Sequence, residues 1–116
     1  MLYIIGLADP INPMAGGPTE SPWGTRRQKP PVIDSIHAWV DLIGASREPH
    51  LIHDVDGVKR VRYGPAATGC EIELCTIEGQ GHEWPGARRT LPRSISGPQT
   101  DKVNATRAVW DFFRRS

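Results

Sequence analysis

The chain has 116 residues, with 14 Lys and Arg against 13 Asp and Glu and a net charge of +1. That length gives room for one ordinary domain burying about two-thirds of its unfolded surface, and the charge is too evenly mixed for a dedicated nucleic-acid or membrane-surface protein. The basic residues lie in small groups (Arg26-Arg27, Lys59-Arg60, Arg88-Arg89, Arg114-Arg115) interleaved with acids, and no internal repeat is visible. Gly and Pro concentrate in residues 9–31 and 79–98. Loops of that length are functional, disordered, or a sign that something is missing.

The apolar run from Leu2 to Ile5, closed by Gly6, reads as a strand buried on both faces, as in a parallel sheet. It is far too short for a signal peptide or a membrane span. Asp9 follows in G-L-A-D-P-I-N-P. Loops beyond the carboxyl ends of strands are where open α/β sheets place their chemistry. An aspartate before Pro10 is also a common turn former, and the residues alone favour the turn. Residues 16–31 read as a long irregular connection. The spacing of Ile33, Ile36, Val40 and Ile43, with Trp39 beside them, predicts a helix over residues 32–43, entered through Pro31 and ended by Gly44. His37 belongs to its surface.

His50, His53, Asp54 and Asp56 are potential metal ligands in one short run, but their spacing matches no closed zinc or calcium pattern. Asp56-Gly57 is a ready turn signal. No metal site is expected. Residues 58–63 alternate imperfectly, as an exposed strand would, and residues 71–77 alternate cleanly. Cys70 and Cys75, read within that one strand, would have Cα atoms about 16 Å apart at about 3.3 Å per residue, beyond disulfide reach. Both read as free packing thiols.

Residues 78–86, E-G-Q-G-H-E-W-P-G, place His82 between glycines and a Trp-Pro turn. Glycines on both sides of Gln80 open conformations closed to other residues, and Pro85 stiffens the exit. A histidine at a strand end suits a proton shuttle, since its charge changes near neutral pH. A surface turn with an idle histidine is the level alternative. Thr100 or Asp101 is expected to cap a last helix running to Arg115, with Val103, Val109, Trp110, Phe112 and Phe113 as a broad apolar stripe. Asn104-Ala105-Thr106 spells a glycosylation sequon that, inside a helix, reads as accidental.

Three stretches carry a resemblance: G-L-A-D-P-I-N-P-x-x-G-G near the start, E-L-C-T-I-E-G-Q-G-H-E-W-P-G in the middle and A-V-W-D-F-F at the end. Together they resemble the C-terminal third of an α/β-hydrolase, most closely the polyhydroxybutyrate depolymerase family with its feruloyl and acetyl-xylan esterase relatives. The likeness runs over nearly the whole chain, and the family often has glycine where this chain has Gln80. It implies an α/β fold, a few-stranded sheet flanked by two main helices and incomplete relative to the family. It implies Asp9 as the triad acid, His82 as the general base, and Trp84 and Asn12 as residues lining an ester or polyester substrate, with no cofactor. In such enzymes the triad follows the chain order Ser, Asp or Glu, His.

The serine is the missing part. Acyl transfer of this type needs a G-x-S-x-G elbow and an oxyanion hole. None of Ser21, Ser35, Ser46, Ser94, Ser96 and Ser116 stands in such an elbow. The expected function is an esterase fragment that supplies acid and base without a nucleophile. A small esterase completed in a homodimer and a non-catalytic binding module with Trp84 in its groove are the alternatives. The Leu2–Ile5 run would then carry an unpaired edge, through which the missing N-terminal part or a second copy would join. No nucleic-acid or membrane partner is expected. Substrate identity and localisation stay open, since the relatives are often secreted and this chain shows no export signal.

Overall fold

The computed structural model describes residues 1–21 and 23–115. The elements run β1 (Leu2–Gly6), β2 (Gly17–Glu20), β3 (Arg26–Lys29), α1 (Val32–Leu42), β4 (His50–Val55), β5 (Val58–Tyr63), β6 (Ile72–Ile77), α2 (Arg93–Ser96) and α3 (Ala105–Arg114). Four strands form one sheet in the order β1-β6-β5-β4, and β2 pairs with β3 in a separate ribbon. β1 runs parallel to β6, while β6 with β5 and β5 with β4 are antiparallel.

The clean alternation of β6 places it at the centre. Ile72 and Leu74 face α1, where they meet Ile5, Tyr63, Val32, Ile36 and Val40 in the main core. Cys75 and Ile77 face the other side with Val58, and Ile4 and Val103 close over them. Fully burying an aliphatic side chain such as Ile36 or Ile72 stabilises the fold by about 1.5–3 kcal/mol. Asp56 and Gly57, both left-handed at φ 55° and 77°, make the two-residue turn that folds β4 back on β5. β4 is exposed along its whole length.

The expected α/β-hydrolase fragment is not what the chain builds. The structure is 22% helix and 27% strand, a mixed four-stranded sheet plus a small two-stranded one, and is mainly small β. Within the four-stranded sheet two antiparallel pairings outnumber the one parallel pairing. An α/β sheet is made by repeated strand–helix–strand crossovers, and here a hairpin intervenes between α1 and β6. β1 is accordingly an edge strand paired only with β6, and its Leu2, Tyr3 and Ile4 are half-buried rather than covered on both faces.

Other expectations also shift. The connection expected to be irregular contains β2 and β3. Cys70 precedes β6 and is exposed, while Cys75 is buried inside it; both are free. The last helix begins at Ala105, because Asn104 adopts an extended backbone and its side chain accepts the Arg107 N–H as the N-cap. The sequon thus spells a helix cap. Of the expected apolar stripe, α3 buries Phe112 and leaves Trp110 and Phe113 more than 60% exposed.

Candidate active site

Where β1 ends, its backbone meets the loop after β6. A Cβ built on Gly6 would lie 2.0 Å from the carbonyl oxygen of Gln80, so only glycine fits there. Leu7 N–H then donates to Ile77 O and Ala8 N–H to Gln80 O, both at 2.9 Å. This delivers Asp9 with its carboxylate largely buried. Its Oδ1 accepts the N–H groups of Ile11 and Asn12, each at 2.8 Å. Its Oδ2 faces Nδ1 of His82 at 2.8 Å. One oxygen of Asp9 therefore closes the turn and the other faces the imidazole.

His82 is delivered by a loop fixed through its backbone. Its N–H donates to Ser96 O at 2.7 Å, and the Gly81 N–H donates to Pro98 O at 2.6 Å. A Cβ on Gly81 would sit 2.0 Å from Ser96 O. Gln80, fully buried, braces the same loop: its Nε2 donates to Glu83 O at 2.9 Å and its Oε1 accepts the Thr100 N–H at 3.0 Å.

An ionised carboxylate only accepts hydrogen bonds, so Asp9 holds the His82 proton on Nδ1. The lone pair of the neutral ring is then on Nε2, which has no partner among the described residues. The ring is 44% exposed. This is the arrangement a general base needs.

The pair borders a cavity of about 250 Å³ walled by Leu2, Ile4, Asn12, Trp84 and Val109. Asn12 and Trp84 both reach it; Asn12 Nδ2 donates to the Tyr3 hydroxyl at 3.2 Å, and Trp84 Nε1 donates to Thr106 Oγ1 at 3.1 Å. A larger cavity of about 330 Å³ lies behind Leu2 and Ile4 next to α3, and neither Asp9 nor His82 lines it.

No serine hydroxyl among the described residues bonds to His82. Ser96, whose carbonyl holds the His82 N–H, is wholly buried and turns its hydroxyl to Glu83 and Pro92 O. The Ser21 and Ser46 hydroxyls accept nearby backbone N–H groups. Ser35 lies on α1 and Ser94 on α2, and Ser116 lies outside the described residues. His50, His53, Asp54 and Asp56 are strung along β4 and its turn, and no group of three potential metal ligands gathers among the described residues.

Sequence reasoning missed Glu83. Its Oε1 accepts the Leu91 N–H at 2.7 Å and the Thr90 N–H at 3.1 Å, and its Oε2 accepts the Thr90 hydroxyl at 3.0 Å. The Leu91 N–H, with further help from Thr90 and Ser96, holds this carboxyl below its ordinary range despite desolvation. Its partners lie seven or more residues onward in irregular chain, and no periodic pattern marks such a contact. The only local sign was a charged residue directly after the histidine.

No family model, curated protein or solved structure matches the chain.

Proposed function

We propose that Asp9 and His82 are the acid–base pair of a serine-type carboxylic-ester hydrolase site, whose nucleophile comes from polypeptide outside these 116 residues. The observation that carries this is the 2.8 Å contact from His82 Nδ1 to an Asp9 carboxylate already fixed by two backbone N–H groups. The likeness of both loops to those of polyhydroxybutyrate depolymerases and feruloyl esterases supports the same chemistry. In that chemistry, His82 Nε2 takes the proton of a hydroxyl as its oxygen attacks the ester carbonyl, then returns it to the leaving alcohol. Asp9 stays ionised throughout and stabilises the charged ring.

The nucleophile-bearing partner, a further polypeptide segment, reaches the site over β1. This strand is an edge, and its Leu2 and Ile4 wall the cavity beside His82. Unpaired strand edges recruit further strands. An ester or polyester chain would lie along the same wall, against Trp84.

A base without its nucleophile can be supplied with one. The test is release of nitrophenol from p-nitrophenyl acetate by the purified chain in increasing trifluoroethanol, beside His82→Ala. In the wild type the alcohol gives its proton to Nε2 and takes the acetyl group, forming trifluoroethyl acetate, while the proton passes to nitrophenolate. The alcohol-dependent rate should exceed that of His82→Ala by about 10²-fold. Equal alcohol dependence in the two proteins would overturn the proposal.

A further inference from the structure

Among the described residues, the His82 side chain makes one hydrogen bond, to Asp9. It stands on irregular chain with its ring half-exposed, so something else must fix its backbone. The N–H of His82 is held by Ser96 O, at the end of the short helix α2. The segment leading into α2 is held in turn by Glu83. The Glu83 carboxylate accepts from Leu91 N–H, from Thr90 N–H and hydroxyl, and, at 3.4 Å, from the Ser96 hydroxyl. Arg89 closes the far side, donating from Nη1 to the Ser96 hydroxyl at 3.2 Å and to Gly97 O at 3.0 Å. The result is a closed ring of contacts: His82, its neighbour Glu83, the 90–91 backbone, α2, Ser96 O and back to the His82 N–H.

We infer that Glu83 is the positioning residue for His82, its carboxylate clamping the segment from Thr90 to Ser96 against the His82 peptide and so setting the imidazole on Asp9. The inference rests on the reading of Asp9 and His82 as an acid–base pair. Hydrogen bonds to a charged acceptor are about twice as strong as neutral ones, and Glu83 is only 9% exposed. No other side chain among the described residues ties the His82 loop to the 90–91 backbone. The Glu83 carboxylate bonds to Thr90, Leu91 and Ser96 and to neither Asp9 nor the His82 ring. Its effect runs through the peptide of His82, where a displacement of about 1 Å costs about 10²-fold in rate.

The test compares wild type with Glu83→Ala, Glu83→Gln and Thr90→Val in two readouts. One is the alcohol-dependent nitrophenol release; the other is the proton NMR resonance of the His82 Nδ1–H. Glu83→Ala should lower the rate by about 10²-fold and broaden the Nδ1–H resonance away, while the methyl signals of Ile36, Ile72 and Ile77 stay in place. Glu83→Gln can still accept from Leu91 and Thr90, and should keep the resonance and most of the rate. Thr90→Val, which removes only the hydroxyl, should fall between them, and it decides the matter if Glu83→Ala does not fold. An unchanged resonance in Glu83→Ala, or in Thr90→Val where that variant decides, would overturn the inference. A wild type that shows the resonance without alcohol-dependent chemistry would sink the hydrolase reading alone, and the resonance would still decide the role of Glu83.

Discussion

Gly6 and Gln80 meet backbone to backbone: the carbonyl of Gln80 accepts the Ala8 N–H and occupies the space a Gly6 side chain would need. That contact joins the strand end that presents Asp9 to the loop that presents His82. Gly6→Ala should force the two loops apart. The expected result is loss of the His82 Nδ1–H resonance and a stability loss of about 1–3 kcal/mol in urea denaturation, the usual cost of overpacking. A resonance that persists unchanged would show that the loops are not held together there.

Glu73 is a fully buried carboxylate on the central strand, surrounded by arginines. Arg60 donates to its Oε1 from Nε at 2.7 Å and also from Nη2. Arg115 donates to Oε2 at 2.5 Å, with Arg62 at 3.6 Å from the same oxygen. Replacing a buried ion-paired group alone leaves its partners' charge uncompensated. Glu73→Ala should therefore cost about 3 kcal/mol in urea denaturation. A loss below about 0.5 kcal/mol, the scale of an ordinary surface substitution, would mean the arginines find water instead.

The two thiols should react differently. Burial pushes the Cys75 thiol up to about 11, with Arg60 opposing only in part. Cys70 is exposed. Since the thiolate is the reactive form, the native protein at pH 8 should consume one equivalent of Ellman's reagent quickly and the urea-unfolded protein two. Two fast equivalents in the native state would contradict the burial of Cys75.

The Glu83 carboxyl sits below its ordinary value of 4.5 in the folded chain. Its contribution to stability is therefore fully present above about pH 4.5 and is lost as the pH falls through the folded value. Glu83→Gln removes this dependence. The melting temperature of the wild type should exceed that of Glu83→Gln near pH 6, and the gap should narrow below pH 4.5. A gap that widens on acidification would reverse the sign of the effect.

The main elements were legible where burial leaves a period. Ile36 and Val40 announce α1, and Ile72 and Leu74 announce β6. The ribbon was not, because the Arg26–Lys29 strand is polar on both faces and alternation cannot register a strand with no apolar side. The fold class failed on pairing. Of residues 50–63 only 58–63 read as a strand, and nothing in that stretch says that it forms two strands joining the sheet antiparallel beyond β6. At the site, Asp9 and His82 stood out because glycine and proline mark the loops that carry them. Gln80 and Glu83 did not, because their partners Thr100, Thr90 and Leu91 come from elsewhere in an irregular chain.

The most direct test of the acid–base pair is the tautomer of neutral His82, read from the ¹⁵N shifts of its two ring nitrogens. Asp9 at 2.8 Å requires the proton on Nδ1 and the lone pair on Nε2, and Asp9→Asn should abolish that preference. A ring protonated on Nε2, with the same signals in Asp9→Asn, would mean that Asp9 does not hold the imidazole and that the pair is not a catalytic one.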